Sequence, residues 1–521
     1  MPSQINKLMN LQTLTTFVVG KDSGAKLEEL AELSSLRGKL SIKKLENVIN
    51  ITKASNKVNI LDKKPLDKLS LKWSNGVGDL KHGEAVLDML SPNTVLKQLK
   101  IDYYPGTKFS NWVGDDSFCN VVHVGLWNCQ RCSNLPPLGQ LPWLKSLYIS
   151  GFDSVVTVGS EFYGNSYVRK PFSSLETLSF KNMSSWEQWQ SMQTEDATTY
   201  GKLKTLEIFY CPELIGDLPR FFPCLTKLNI HVDKKFALTT LSFPCVKEIT
   251  IGGVESTESL WEALKLQQNM SHFESSSSLM STSTPFYHPL ESLHLTRCGE
   301  SFRSLHMDLF PNLKSLAISY CNYFEALSMS DGQCQELTSL SSLSIWCCPS
   351  FVSFPKDGLI APKLTFINIS ECPKLKWLPE KMTFISLHVL CISYKPLVSV
   401  MNWDLQTLSN LKHVRIVGTG EDKESFPEEG LLPATITSLG ISTFSKLRAL
   451  DKNGLKQLTS LQTLEIFSCP ELQTLSEEGF STSLRYLNIH GCPLLKKIYN
   501  PESENKECWS KISHIPHIQF Y

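Results

Sequence analysis

The chain has 521 residues, with 51 Lys plus Arg against 51 Asp plus Glu, 41% hydrophobic and 20% charged residues. Zero formal charge supplies no global attraction for nucleic acid or an anionic membrane, and this composition belongs to a folded chain rather than a disordered one. No apolar run reaches the ~18 residues of a membrane span, the N-terminus lacks a signal-peptide core, and the 16 Cys fall far below a disulfide scaffold, so cytosol or nucleus is the expected compartment.

From the N-terminus, Ile5, Leu8, Leu11 and Leu14 read as the continuation of a repeat whose beginning is missing. Leu27, Leu30, Leu33 and Leu36 before Gly38 predict a helix over 25–37, and a second is expected over 84–90, ending before Ser91-Pro92. Short strands then centre on Ile42, Leu71, Ile101, Leu126, Ile149, Phe180, Ile208, Ile230 and Ile251. After an interruption they resume at Leu295, Ile318, Ile345, Ile369, Ile392, Ile416, Ile441, Ile466 and Ile489, with spacings of 23 to 27 residues. The clearest copies, such as LKTLEIFYCPEL (203–214) and LQTLEIFSCPEL (461–472), carry the leucine-rich-repeat consensus with Cys in its Asn/Cys slot.

The pattern predicts an α/β solenoid. In Leu203-x-x-Leu206-x-Ile208, strand alternation sends Leu206 and Ile208 inward and Thr205, Glu207 and Phe209 outward. One repeat cannot bury its apolar edge alone, so the strands stack as a parallel sheet on the concave face of a leucine-rich-repeat horseshoe. Eighteen such strands at ~4.8 Å make a sheet on the order of 85 Å long. Pro and Gly, as in LPPLGQLP (135–142) and FPEEGLLP (426–433), predict a mostly irregular convex side. The expected organisation is an N-terminal repeat block over 1–270 that starts mid-repeat and a Ser/Thr-rich loop over 271–287. A second repeat block follows over 288–498, then a tail over 499–521.

Eight Cys fall on the ladder position: Cys129, Cys211, Cys298, Cys321, Cys348, Cys372, Cys469 and Cys492. A structural role is expected, with each weak S–H donor meeting backbone carbonyls in the bend. Cys119, His123, Cys129 and Cys132 offer zinc as a rival, but their spacing matches no common finger. No phosphate loop, dinucleotide fingerprint, H-E-x-x-H or G-x-S-x-G is present, so no enzyme is expected. The candidate binding positions are the outward residues of the concave sheet: Trp127, Tyr148, Lys181 and Phe209 upstream, and Trp346, Phe366, Arg415, Phe467 and His490 downstream. Aromatic and Arg side chains dominate interface hot spots. Residues 1–110 carry 17 Lys plus Arg and 11 Asp plus Glu, a local excess of +6 suited to docking against an acidic neighbour.

The series LRGKLSIKKLENV (36–48), LDKLSLKW (66–73), LKQLKIDYYPGTKFSNW (96–112), LWNCQRCSNLPPLGQLPWLKSLYISGF (126–152), VGSEFYG (158–164) and WEQW (186–189) follows in order, and the chain closes with the tail CWSKISHIPHI (508–518). It resembles the leucine-rich-repeat region of plant intracellular disease-resistance proteins of the coiled-coil nucleotide-binding (NLR) class. The resemblance implies recognition of pathogen effectors or of host proteins they modify, and restraint of a nucleotide-binding (NB-ARC) switch in cis. ADP or ATP would bind that switch, whose phosphate loop is not in this sequence, so no cofactor is carried over to any residue here. Residues 1–110 would then form the switch-facing end, and positions from Phe366 to His490 would meet the variable ligand. A ubiquitin-ligase substrate adaptor, an extracellular receptor solenoid and a truncated product without function remain as alternatives.

Overall fold

The computed structural model describes the chain apart from residues 1–2, 50–59, 77–78, 165–169, 191–198, 216–217, 233–242, 254–288, 330–335, 356–357, 377–381, 400–404, 421–422, 476–479 and 500–505. The Ser/Thr-rich segment 271–287 therefore lies outside the described residues. The chain forms two compact units, Met1–Leu279 and Met280–Tyr521.

In the first unit, successive parallel strands are β1 (Thr16–Val18), β2 (Gly38–Lys43), β3 (Leu66–Lys72), β4 (Gln98–Asp102) and β5 (His123–Trp127). They continue as β6 (Ser146–Ser150), β7 (Thr177–Lys181), β8 (Thr205–Phe209), β9 (Lys227–His231) and β10 (Glu248–Gly252). The second unit repeats the scheme with β11 (Ser292–Thr296), β12 (Ser315–Ser319), β13 (Ser342–Trp346), β14 (Phe366–Ser370) and β15 (Val389–Ser393). It ends with β16 (His413–Val417), β17 (Ser438–Ser442), β18 (Thr463–Phe467), β19 (Tyr486–His490) and β20 (His517–Phe520). All eighteen expected strands are there, as β2 to β10 in the first unit and β11 to β19 in the second, each unit a parallel β-solenoid.

Register explains why so few residues per strand suffice. Leu206 and Ile208 lie opposite Leu228 and Ile230 on one neighbour and Leu178 and Phe180 on the other. Identical strands in identical register align apolar positions into continuous inner columns, while Thr205, Glu207 and Phe209 stay at the surface. Leu203, Leu206, Ile208, Cys211 and Leu214 are all buried, and each large side chain so buried is worth about 1.5–3 kcal/mol before entropy is counted.

Most strands end in a sharp turn. The next residue takes a left-handed conformation at Tyr103, Asn128, Asn182, Tyr210, Arg297, Tyr320, Cys347, Glu371, Thr443 and Ser468, with φ between 50° and 58°. Such a φ is disfavoured for these residue types, and a further ladder hydrogen bond offsets it. The Tyr103 amide donates to Trp127 O at 2.9 Å, Asn182 to Phe209 O at 2.9 Å and Tyr320 to Trp346 O at 3.0 Å.

Two sequence expectations shift. The first helix is Leu27–Glu32, shorter than 25–37, because Leu33 and Leu36 close tighter turns into β2. The second is Leu80–Asp88, starting earlier than 84 because Asp79 caps it, its carboxylate accepting from the Lys81 and His82 amides. At the N-terminus the strand centres on Phe17, with Phe17 and Val19 buried, whereas Leu8 is exposed. Behind the sheets the chain is largely irregular. Four short parallel pairs recur there, Thr157–Val158 with Gln188–Trp189, Ser304–His306 with Ala326–Ser328, Leu359–Ile360 with Met382–Thr383, and Ser425–Phe426 with Ala449–Leu450.

Aromatic rings fill the interior. In the first unit Phe162, Phe172, Phe180, Trp186, Trp189 and Tyr200 form one contiguous cluster with centroids 4.8–6.0 Å apart. In the second, Phe302, Phe324 and Phe351 stack in successive repeats at 4.9 and 5.5 Å.

Candidate protein-interaction surface

In the five-residue strands pairing places the first, third and fifth residues on the outer sheet face, where side chains form columns across neighbouring strands. In the first unit, Trp127 on β5 folds back over Gly125. A Cβ at Gly125 would stand 1.6 Å from the indole, so only glycine admits this rotamer. The Lys100 ammonium sits 4.4 Å from the indole centroid, and Tyr148 projects beside it on β6, 39% exposed. Around them opens a cleft of about 560 Å³ whose lining includes Lys39, Lys68, Lys100, His123, Trp127 and Tyr148 over the apolar floor of Leu40, Leu69 and Leu99. Among the described residues no Asp or Glu lines it, and Lys39, Lys68 and Lys100 show no salt bridge there. Burial, then the charges of Lys68 and Lys145, lower the pKa of His123 and favour its neutral form.

Lys181 and Phe209 meet on adjacent strands. The Lys181 ammonium is 3.0 Å from Glu207 Oε2 and 4.8 Å from the Phe209 ring centroid, and Phe209 stacks on His231 at 4.9 Å. Burial alone would raise the Glu207 pKa, but Lys181, Ser179 and Asn229 reverse it, leaving the carboxyl below its usual value. Asp102, by contrast, is held by Lys72 at 2.9 Å and the Asn128 amide at 3.2 Å.

In the second unit, Trp346 stands edge-on to Tyr320 at 4.7 Å, with the Arg297 guanidinium 5.8 Å from the Tyr320 ring. Arg415 reaches across β17 to Glu465 at 2.7 Å and lies 5.3 Å from the Phe467 ring. His490 sits between Phe467 at 6.2 Å and Tyr521 at 6.0 Å. Phe366 and Arg415 border one cavity of about 290 Å³, while Trp346 belongs to the separate Tyr320 group.

The eight ladder cysteines turn inward, and each thiol donates to the carbonyl two residues earlier. The contacts are Trp127 O, Phe209 O, Ser319 O, Trp346 O and Ser370 O at 3.4 Å, Phe467 O and His490 O at 3.5 Å, and Thr296 O at 3.9 Å. Cys348 and Cys372 also reach the preceding repeat, at Ile318 O and Ile345 O. Cys119, His123, Cys129 and Cys132 do not converge: Cys119 is exposed while Cys132 donates to Gly106 O at 3.2 Å. Among the described residues no group of three or more His, Cys, Asp or Glu is placed to hold a metal, and no helix is long and apolar enough to cross a membrane.

Sequence reasoning missed two kinds of surface residue. Simple alternation sends the residue after Phe209 inward, yet the left-handed turn throws Tyr210 out to 70% exposure and Tyr320 to 42%. The regular spacing of that turn, one residue beyond each strand, is the signal that could have found them. It also missed the groups made by small neighbours, Lys100 with Trp127 over Gly125 and Arg415 with Glu465 over Gly440.

A sequence-family profile described as R13L1/DRL21 LRRs matches residues 27–152. A relative from Arabidopsis thaliana named for disease resistance is 27% identical, the match covering 98% of this chain and 53% of that protein. RPP13-like protein 1 of the same plant, also named for disease resistance, is 30% identical over 70% of this chain and 32% of its own length. Disease resistance protein RGA2 of Solanum bulbocastanum is 31% identical over 45% of this chain and 24% of its own. This chain thus spans about half the length of the first of these relatives and less of the others. Among solved structures, the circular leucine-rich-repeat protein CroV588 matches with TM-score 0.40 and 16% identity, covering 98% of this chain and 79% of that one.

Proposed function

We propose that this chain, whose leucine-rich repeats are of the plant disease-resistance type, is a protein-recognition module whose outer sheet faces bind pathogen effectors or effector-modified host proteins. The observation that carries this reading is the display of Trp127, Tyr148, Phe209, Trp346, Arg415 and Phe467 on regular strands whose opposite face is sealed. Aromatic and Arg side chains fixed on a rigid ladder lose little entropy on binding and supply large contact area.

The same reading includes restraint of a neighbouring nucleotide switch. Residues 1–110 form the switch-facing end, and the lysine-lined cleft supplies attraction for an acidic surface. A ligand releases the switch by binding the freed arrangement better than the restrained one, since only differential affinity shifts a population. The Phe366–His490 strands meet that ligand.

Exchanging the outward residues of β14 to β19 with those of a relative is expected to transfer effector specificity. Retention of the original specificity would place recognition elsewhere. Ser370, Ser393, Val417, Gly440 and Ser442 are buried and stay unchanged in the exchange; at the remaining positions each substitution costs within about 0.5 kcal/mol. For the switch-facing end, Lys39→Glu, Lys68→Glu and Lys100→Glu together are expected to weaken association with a separately expressed nucleotide-binding (NB-ARC) module of the disease-resistance type by about tenfold or more at low salt. The difference should shrink as ionic strength rises. Unchanged affinity at low salt would remove the cleft from that contact.

A further inference from the structure

We propose that the hollow on β14 to β16 of the second unit is a socket for a single phenolic side chain, that is, an exposed tyrosine of the recognised protein. This rests on the recognition reading and names the chemistry of its contact.

The socket follows from one glycine. Along the third-position column run Asn368, Cys391, Arg415, Gly440 and Glu465. A Cβ on Gly440 would stand 3.0 Å from Arg415 Nε and 3.1 Å from its Cγ, so the arginine lies stretched over that glycine. Glu465 holds its far end at 2.7 Å. Drawn toward Glu465, Arg415 leaves the cavity of about 290 Å³ beside Phe366, Val389 and Cys391 uncovered.

The lining selects the occupant. The Phe366 ring, the Val389 side chain and the soft Cys391 sulfur suit an aromatic ring, because thioether and thiol sulfur pack favourably against ring edges. The Asn368 amide is engaged, donating to Ser344 Oγ at 3.3 Å and accepting from Ser370 Oγ at 2.7 Å. The remaining polar groups at the rim include the N–H donors of Arg415 beyond the one of five given to Glu465, and the exposed His413 ring, with the Ser438 hydroxyl beside them. A phenol oxygen accepts from the first and donates to the second. Glu465 already balances the guanidinium charge, so a carboxylate gains little there and meets a like charge. A plain phenyl ring leaves the rim groups unanswered, which costs selectivity where polar groups lose their water.

The test uses p-cresol as the probe and Cys391 as the reporter. Iodoacetamide labelling of the purified chain is followed by peptide mass spectrometry, with exposed Cys119 as the internal reference. A ligand of this size binds in the millimolar range. At about 10 mM, p-cresol is expected to slow Cys391 labelling by about threefold or more while leaving Cys119 unchanged. Toluene and p-toluate should protect less. In Glu465→Gln, which frees the guanidinium charge, the order should reverse in favour of p-toluate, a change that mere packing would not produce. Burial raises the Cys391 thiol above its ordinary value and only the thiolate reacts, so labelling is followed to long times at about pH 9. The proposal is overturned if Cys391 stays unlabelled there while Cys119 reacts, since the hollow is then closed. It is equally overturned if p-cresol protects neither or both, or if p-toluate matches it in the unaltered chain. No partner is present in this assay, so a failed specificity exchange with successful protection sinks the recognition reading and leaves the socket standing.

Discussion

Trp186→Ala is expected to destabilise the first unit by about 3–5 kcal/mol, the range for removing a large ring from a core that relaxes only partly. Trp186 has no exposed surface and touches Phe180 at 4.8 Å and Trp189 at 5.8 Å. Phe180 belongs to β7, so the loss is transmitted directly into the sheet. Its indole N–H, which donates to Gln188 O at 2.8 Å, also disappears and leaves a carbonyl to be satisfied by water. Because solenoid stability is roughly a sum of neighbour terms, the damage should be local. Hydrogen exchange should rise in the Thr177–Lys181 and Gln188–Trp189 amides while β11 to β20 keep their protection. Phe209→Ala is the matched surface control. Its ring is half-exposed against Lys181 and His231, and the expected cost is about 1 kcal/mol or less. An equal loss for the two variants, or exchange rising uniformly through both units, would contradict a core built from stacked local clusters.

That locality is why so much of the fold was legible in the sequence. Leu206 and Ile208 declare their direction through a period of two within one strand, and their partners on β7 and β9 declare the same direction independently. Nothing distant has to be known. Helix ends were less legible because the same leucines serve two structures. Leu33 and Leu36 fit a helical face equally well, but they enter β2 through tight turns. The last strand, His517–Phe520, pairs with β19 although its inward Ile518 and Phe520 are only partly buried, so its alternation is weak.

The surface was legible residue by residue and illegible as groups. Arg415 and Phe467 are each recognisable as outward, but their meeting depends on Gly440 being small, and Glu465 lies 50 residues from Arg415. Trp127 likewise reads as an exposed aromatic, whereas its position over Gly125 and under Lys100 needs two strands in register. Side-chain length and the absence of a Cβ decide which columns interact, and neither has a sequence period.

The buried thiols should make the second unit lose stability steeply in alkali. Contact with Cys298 and burial push the Cys321 thiol up to about 12, and burial does the same for Cys372, to about 12, against an ordinary value of 9.0. Cys348 is raised as well, by contact with Cys321 and by burial. Below pH ~9 these thiols are protonated in folded and unfolded chains alike, so stability is undiminished. Above it the unfolded chain releases protons that the folded chain retains, and stability falls with rising pH until the folded thiols ionise near pH ~12. Each thiol contributes up to about 1.4 kcal/mol per pH unit well above its unfolded value and less near it, so Cys321 and Cys372 together remove about 2 kcal/mol between pH ~9 and ~10. The measurement is the urea midpoint of the second unit from pH ~8 to ~10.5, compared with Cys321→Ala/Cys372→Ala. The double variant should start less stable at pH ~8, having lost buried contacts and two S–H donors, yet fall with a shallower slope. Lysine, tyrosine and backbone titration are common to both proteins and cancel in the comparison. Parallel slopes would mean that the two thiols ionise without regard to folding, and that their inward donation to Ser319 O and Ser370 O does not hold in solution.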